Sequence, residues 1–176
     1  MPTRSASNRQ ISLRPLSKKE AALLLAGLAF LLVGLWLPQR ISVSTSPSLQ
    51  HRVFFLSPVP ATGRIKAGEC LVFRHQGVSQ RETGLNTEND RFIKMVGCSP
   101  GDKLTTFAES FSCQGVFLGT ALTKDGQGNI LPRFSFNGAV PPNKYFMIGQ
   151  HSRSYDSRYF GFIDARDILY KAVPLW

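Results

Sequence analysis

The stretch Phe92-Ile93-Lys94-Met95-Val96-Gly97-Cys98-Ser99-Pro100-Gly101-Asp102 decides how the rest of the chain is read. Side chains alternate across a strand, so Phe92 and Val96 share a face with Lys94 while Ile93 and Met95 take the other. Neither face reads as solvent. A lysine held among apolar neighbours loses hydration, and fully buried lysines fall to a pKa of roughly 5–6. A neutral amine near pH 7 is a general base. The other reading is an edge-strand lysine whose long stem carries its charge out to water. Pro100-Gly101-Asp102 reads as the turn that ends the strand.

Outward from that strand, the 176-residue chain allows one domain plus an appendage, and its formal net charge is +10. Such a charge raises nucleic acid or anionic lipid as partners. The charge is densest in residues 1–20, where Arg4, Arg9, Arg14, Lys18 and Lys19 form a basic tail. No dense basic run interleaved with aromatics follows, so no nucleic-acid partner is expected. Residues 21–38 form an uncharged run, AALLLAGLAFLLVGLWLP, long enough to span a bilayer. Basic residues before it put the N-terminus in the cytoplasm, and residues 39–176 then form an extracytoplasmic domain. A cleaved signal peptide is the competing reading, but no A-x-A-like site follows the run.

The exterior part reads as mainly β, with strands expected at Arg52–Leu56, Glu69–Arg74, Phe92–Val96, Val116–Leu118, Tyr145–Ile148 and Ile168–Val173. Gln76–Asp90 and Thr123–Asn137 read as polar excursions. The three cysteines face an oxidising compartment if the cell is Gram-negative. None has zinc-site spacing, and neither metal nor cofactor is expected. Cys98 closes the lysine strand, and Ser112-Cys113-Gln114 can return beside it as a hairpin. A Cys98–Cys113 disulfide is therefore expected, with Cys70 left as a buried free thiol.

Two hydroxyl-rich segments complete the pattern. Ile41 to Gln50 reads ISVSTSPSLQ, either a stalk or a nucleophile loop, and Gly149 to Gly161 reads GQHSRSYDSRYFG, either a polar loop or a structured box. A serine hydroxyl is a weak nucleophile until a base takes its proton, and a neutral lysine does this without histidine.

Lys94-Met95-Val96-Gly97 with Pro100-Gly101-Asp102 resembles the lysine box of the signal peptidase I superfamily of membrane serine–lysine proteases. Ser154 to Gly161 is similar to its S-x-D-S-R box, and Gly68 to Phe73 to the strand between the boxes. Ser44 to Phe54 resembles the TraF-type conjugative-transfer peptidases, although Gln50 and Arg52 stand where Pro and Gly are usual. Asp125-Gly126 and Leu131-Pro132-Arg133-Phe134 resemble that group too.

The resemblance implies Ser48 as nucleophile, with Ser44 as runner-up, and Lys94 as general base. Ser46 takes the oxyanion position, Ser154 orients the amine, and Asp156 with Arg158 shapes the loop. His151 is a weaker candidate base. The implied protein is a single-pass inner-membrane peptidase with a periplasmic catalytic domain. Its partners are membrane lipid and a membrane-bound precursor, a propilin or another pre-protein. The rival readings are a general secretory signal peptidase and a non-enzymatic anchored scaffold.

Overall fold

The computed structural model describes residues 17–59, 65–75 and 91–176, so the expected Gln76–Asp90 loop and most of the basic tail lie outside the described residues. The chain divides into two compact units, Met1–Gln39 and Arg40–Trp176.

In the first unit, helix α1 runs Lys18–Trp36. It starts ahead of the apolar run because Ser17 and Glu20 form a capping box, each side chain bonding the other's backbone N–H. A 3-10 turn at Leu37–Arg40 follows. Together they make a 23-residue segment that contains an 18-residue window of mean hydropathy 2.3, long and apolar enough to cross a membrane.

The second unit is mainly β. Its strands are β1 (Ile41–Val43), β2 (Val53–Ser57), β3 (Cys70–Arg74), β4 (Arg91–Cys98), β5 (Lys103–Phe107), β6 (Ser110–Cys113), β7 (Val116–Thr120), β8 (Gly138–Ala139), β9 (Lys144–Ile148), β10 (Ile163–Asp164) and β11 (Ile168–Pro174). Among the described residues they form a seven-stranded sheet in the order β1-β2-β11-β3-β4-β9-β10 and a four-stranded sheet in the order β7-β6-β5-β8. Every recorded pairing is antiparallel. A short helix α2 (Ser157–Phe160) lies between β9 and β10.

β4 packs both of its faces. Val96 and Phe92 join a core with Leu71, Phe73 and Met147, while Ile93 and Met95 pack against Phe54, Leu56 and Val72. The turn that ends it, Ser99-Pro100-Gly101-Asp102, has type II character. Pro100 occupies the second position, Gly101 has φ 87° at the third, and the Asp102 N–H donates to the Ser99 carbonyl at 3.0 Å.

Cys98 and Cys113 form a disulfide with Cα atoms 5.6 Å apart, which fastens the end of β4 to the end of β6. Cys70 carries a free thiol, half-buried, and burial pushes its pKa up. The hydroxyl-rich segment departs from a stalk, because Ile41–Val43 pairs residue by residue with Val53–Phe55.

Candidate active site

β3 and β9 flank the lysine strand. Leu71 faces Lys94 on one side; on the other Ile148 faces Met95, so continuing the register brings Gly149 opposite Lys94. The chain leaves β9 at that point, and its loop delivers Ser154 to the amine. Lys94 is 3% exposed, and its Nζ lies 3.0 Å from Ser154 Oγ.

A second hydroxyl comes from the β1–β2 loop, which the Ser44 N–H closes onto the Arg52 carbonyl at 2.8 Å. Leu49 sinks into the core beside Phe54 and Val72. That anchor fixes Ser48, whose Oγ lies 2.9 Å from Lys94 Nζ. Its carbonyl accepts from the N–H groups of Gln150 and His151 at 2.7 and 3.2 Å. The Gln150 side chain in turn accepts from the Gln50 N–H at 2.8 Å. Ser46 Oγ stands 2.6 Å from Ser48 Oγ. Ser44 turns away and donates to the Ser46 carbonyl at 3.1 Å.

The box after Ser154 is a buried polar frame. Arg158 grips Asp156 in a two-point pair, Nε to Oδ1 at 2.8 Å and Nη2 to Oδ2 at 2.7 Å. Asp156 also caps α2 by accepting from the Arg158 N–H, and accepts from the Gly149 N–H at 2.8 Å. The remaining Arg158 donors reach the carbonyls of Thr120 and Ser154. Burial alone would lower the Arg158 pKa, but the hydrogen bond and charge of Asp156 more than offset it and hold the guanidinium above its ordinary value. His151 sits exposed, its Nδ1 accepting from the Arg153 N–H at 3.1 Å.

The structure thus brings Ser46, Ser48, Lys94 and Ser154 into one chain of contacts, with Asp156 and Arg158 directly behind it. Sequence reasoning passed over Gly149 and Ser157. A Cβ at Gly149 would run into Ser154 Oγ, so only glycine lets the loop close on the lysine. Ser157 Oγ accepts from the Met147 N–H at 2.8 Å and ties α2 to β9. A glycine at the end of a strand that faces the lysine was the available signal.

The family model described as "Signal peptidase, peptidase S26" matches residues 17–176. The chain belongs to this family. A stretch of 38 residues is 50% identical to "Signal peptidase I" of Buchnera aphidicola subsp. Schizaphis graminum (strain Sg), covering 21% of this chain and 12% of that relative's length. Among solved structures, the crystal structure of a signal peptidase I from Enterococcus faecalis V583 aligns at 21% identity and TM-score 0.37, over 61% of this S26 chain and 96% of the other.

Cys98, Asp102 and Cys113 of this S26 domain lie close enough together to suggest a cation site. With both sulfurs joined in a disulfide, neither offers the thiolate that a metal needs. A cleft of about 280 Å³ runs along Ser44, Ser46, Phe92 and Ile93 on one side of the serine–lysine pair.

Proposed function

We propose that this protein is a membrane-anchored serine endopeptidase in which Ser48 is the nucleophile and Lys94 the general base. The observation that carries the reading is one buried amine between two hydroxyls, 2.9 Å from Ser48 Oγ and 3.0 Å from Ser154 Oγ. Burial disfavours the ammonium form, and the neutral amine has a lone pair for the Ser48 proton. Ser154 accepts from the amine and aims that lone pair at Ser48.

As the proton moves to Lys94, the Ser48 oxygen bonds to the scissile carbonyl carbon. The resulting oxyanion is held by the Ser46 hydroxyl and the Ser48 N–H. The carbon–nitrogen bond then breaks, and Lys94 returns the proton to the leaving amine. Water or a second amine resolves the acyl-enzyme.

The substrate in this reading is a membrane-bound precursor, met at the outer face of the inner membrane with the chain's N-terminus in the cytoplasm. Ser48 follows Leu37 by 11 residues, a reach of at most about 36–40 Å. The serine segment's likeness to TraF-type peptidases supports a conjugative pilin, closed head-to-tail when its own N-terminus is held nearby at high effective concentration. A general secretory pre-protein is the second reading, favoured by the identity to a signal peptidase I.

The test is the mass of the mature pilin made with and without this protein. Cyclisation leaves it one water (about 18 Da) lighter than the linear form of the same residues, with no free N-terminus. An open chain reduces the reaction to hydrolysis, and an unprocessed pilin removes this substrate. In single-turnover assays the rate of acylation rises with pH as Lys94 loses its proton, whereas a flat profile removes Lys94 as the base.

A further inference from the structure

A second cleft, of about 670 Å³, opens on the other side of the catalytic pair. One wall is β7; the other contains Gln50, Met95 and Gly149. Both chain segments that carry the pair are divided in the same way. Ser44, Ser46, Phe92 and Ile93, which precede Ser48 and Lys94, line the first cleft. Gln50 and Met95, which follow them, line the second. A peptide bond laid on Ser48 Oγ therefore has one cleft along each flank.

The flanks differ chemically. The acyl residue owns the carbonyl whose oxygen turns to Ser46, a residue of the first cleft. The leaving nitrogen, which receives its proton from Lys94, lies across the carbonyl carbon from the acyl residue. β7 reads VFLGT without a charge and, among the described residues, ends its sheet, and Val116 and Phe117 are 66% and 64% exposed. Edge strands are usually blunted by charge, proline or cover, and a contiguous exposed apolar surface marks a place of contact. An unpaired edge also offers backbone groups to an extended chain. The wall is held in place, because β7 pairs with β6 and the Cys98–Cys113 bridge fastens β6 to the lysine strand.

We propose that this second cleft receives the substrate segment that follows the scissile bond, taking extended chain with apolar side chains against Phe117 and Val116. The proposal rests on the Ser48–Lys94 reading, and two probes separate the two. One is a synthetic peptide with Ala-Leu-Ala before the scissile bond and three apolar residues after it. The other is the methyl ester of the same acyl peptide, which leaves the second cleft empty.

With the full-length protein in detergent, Phe117→Asp and Val116→Asp should each lower kcat/KM for the peptide by about tenfold or more. Both should leave ester turnover unchanged, and Phe117→Leu should restore the peptide rate. Acidic residues after the scissile bond should cost the wild type a similar factor. Equal losses on peptide and ester, or no loss on either, overturn the cleft assignment while Ser48–Lys94 stands. Failure of the wild type on both probes overturns the catalytic reading and this proposal together.

Discussion

The serine loop and the C-terminal box each bring a hydroxyl to Lys94, by opposite means. Ser154 belongs to a frame in which Asp156, Ser157 and Arg158 are buried and bonded to backbone or to one another. Ser48 stands on a loop held by one apolar anchor, Leu49, and by bonds to residues 150 and 151, with Ser46 exposed beside it. A buried ionic frame narrows the residue choice at every position, because each unpartnered atom carries a desolvation cost. A rim loop needs only a hydroxyl at the right height. The two sides should therefore fail differently, the box in stability and the loop in rate.

The largest effect is expected at the pair itself. Ser48→Ala and Lys94→Arg should each lower processing of a co-expressed precursor by about 10⁴-fold or more, read by immunoblot and single-turnover assay. A guanidinium does not deprotonate in a protein, so retained activity in Lys94→Arg would break the mechanism. Ser44→Ala is the control and should leave the rate unchanged, since its hydroxyl is turned to the Ser46 carbonyl.

On the box side, Asp156→Ala leaves Arg158 buried without its carboxylate and should cost about 3–5 kcal/mol in denaturant unfolding. A change below about 1 kcal/mol would show the frame to be no more rigid than the loop. On the loop side, Ser46→Ala should slow acylation by about 10²–10³-fold. Its stability should stay within about 0.5 kcal/mol of the parent. A large drop in Tm instead would erase the distinction between the two sides.

A further effect concerns the bridge that joins the sheets. Cys113→Ser should cost about 3 kcal/mol, the loop-entropy value for a closed loop of this length. Non-reducing peptide mapping of the parent should find Cys98 joined to Cys113 and Cys70 free.

The same contrast explains what was legible in the sequence. β4 could be read because its apolar residues fall on both faces, which an exposed strand does not show, and because Pro100-Gly101 ends the run too soon for a helix. The box could be read because its chemistry restricts it. β5 and β6 were harder. Their hairpin turns through Ala108 at φ 49°, and the next through Gln114 at φ 50°. Ala108 lies outside the usual turn alphabet, so the cue for the first hairpin was missing, whereas Gly115 at φ 82° was the cue for the second. β1, three residues long, is too short to show alternation and looked like stalk. At the site, the order of the segments was legible, but the role of Gly149 was not. Its constraint comes from Ser154 across a loop rather than from its own neighbours.

The place of β11 has a consequence for biosynthesis. Ser48 and Lys94 are both made early, yet the strand that joins the β1–β2 ribbon to β3 and β4 is residues 168–174, threaded between β2 and β3. Among the described residues, no other strand pairing links that ribbon to the lysine strand. A half-synthesised chain therefore holds Ser48 and Lys94 on separate pieces of sheet, and the long-range closure that unites them is slow by nature.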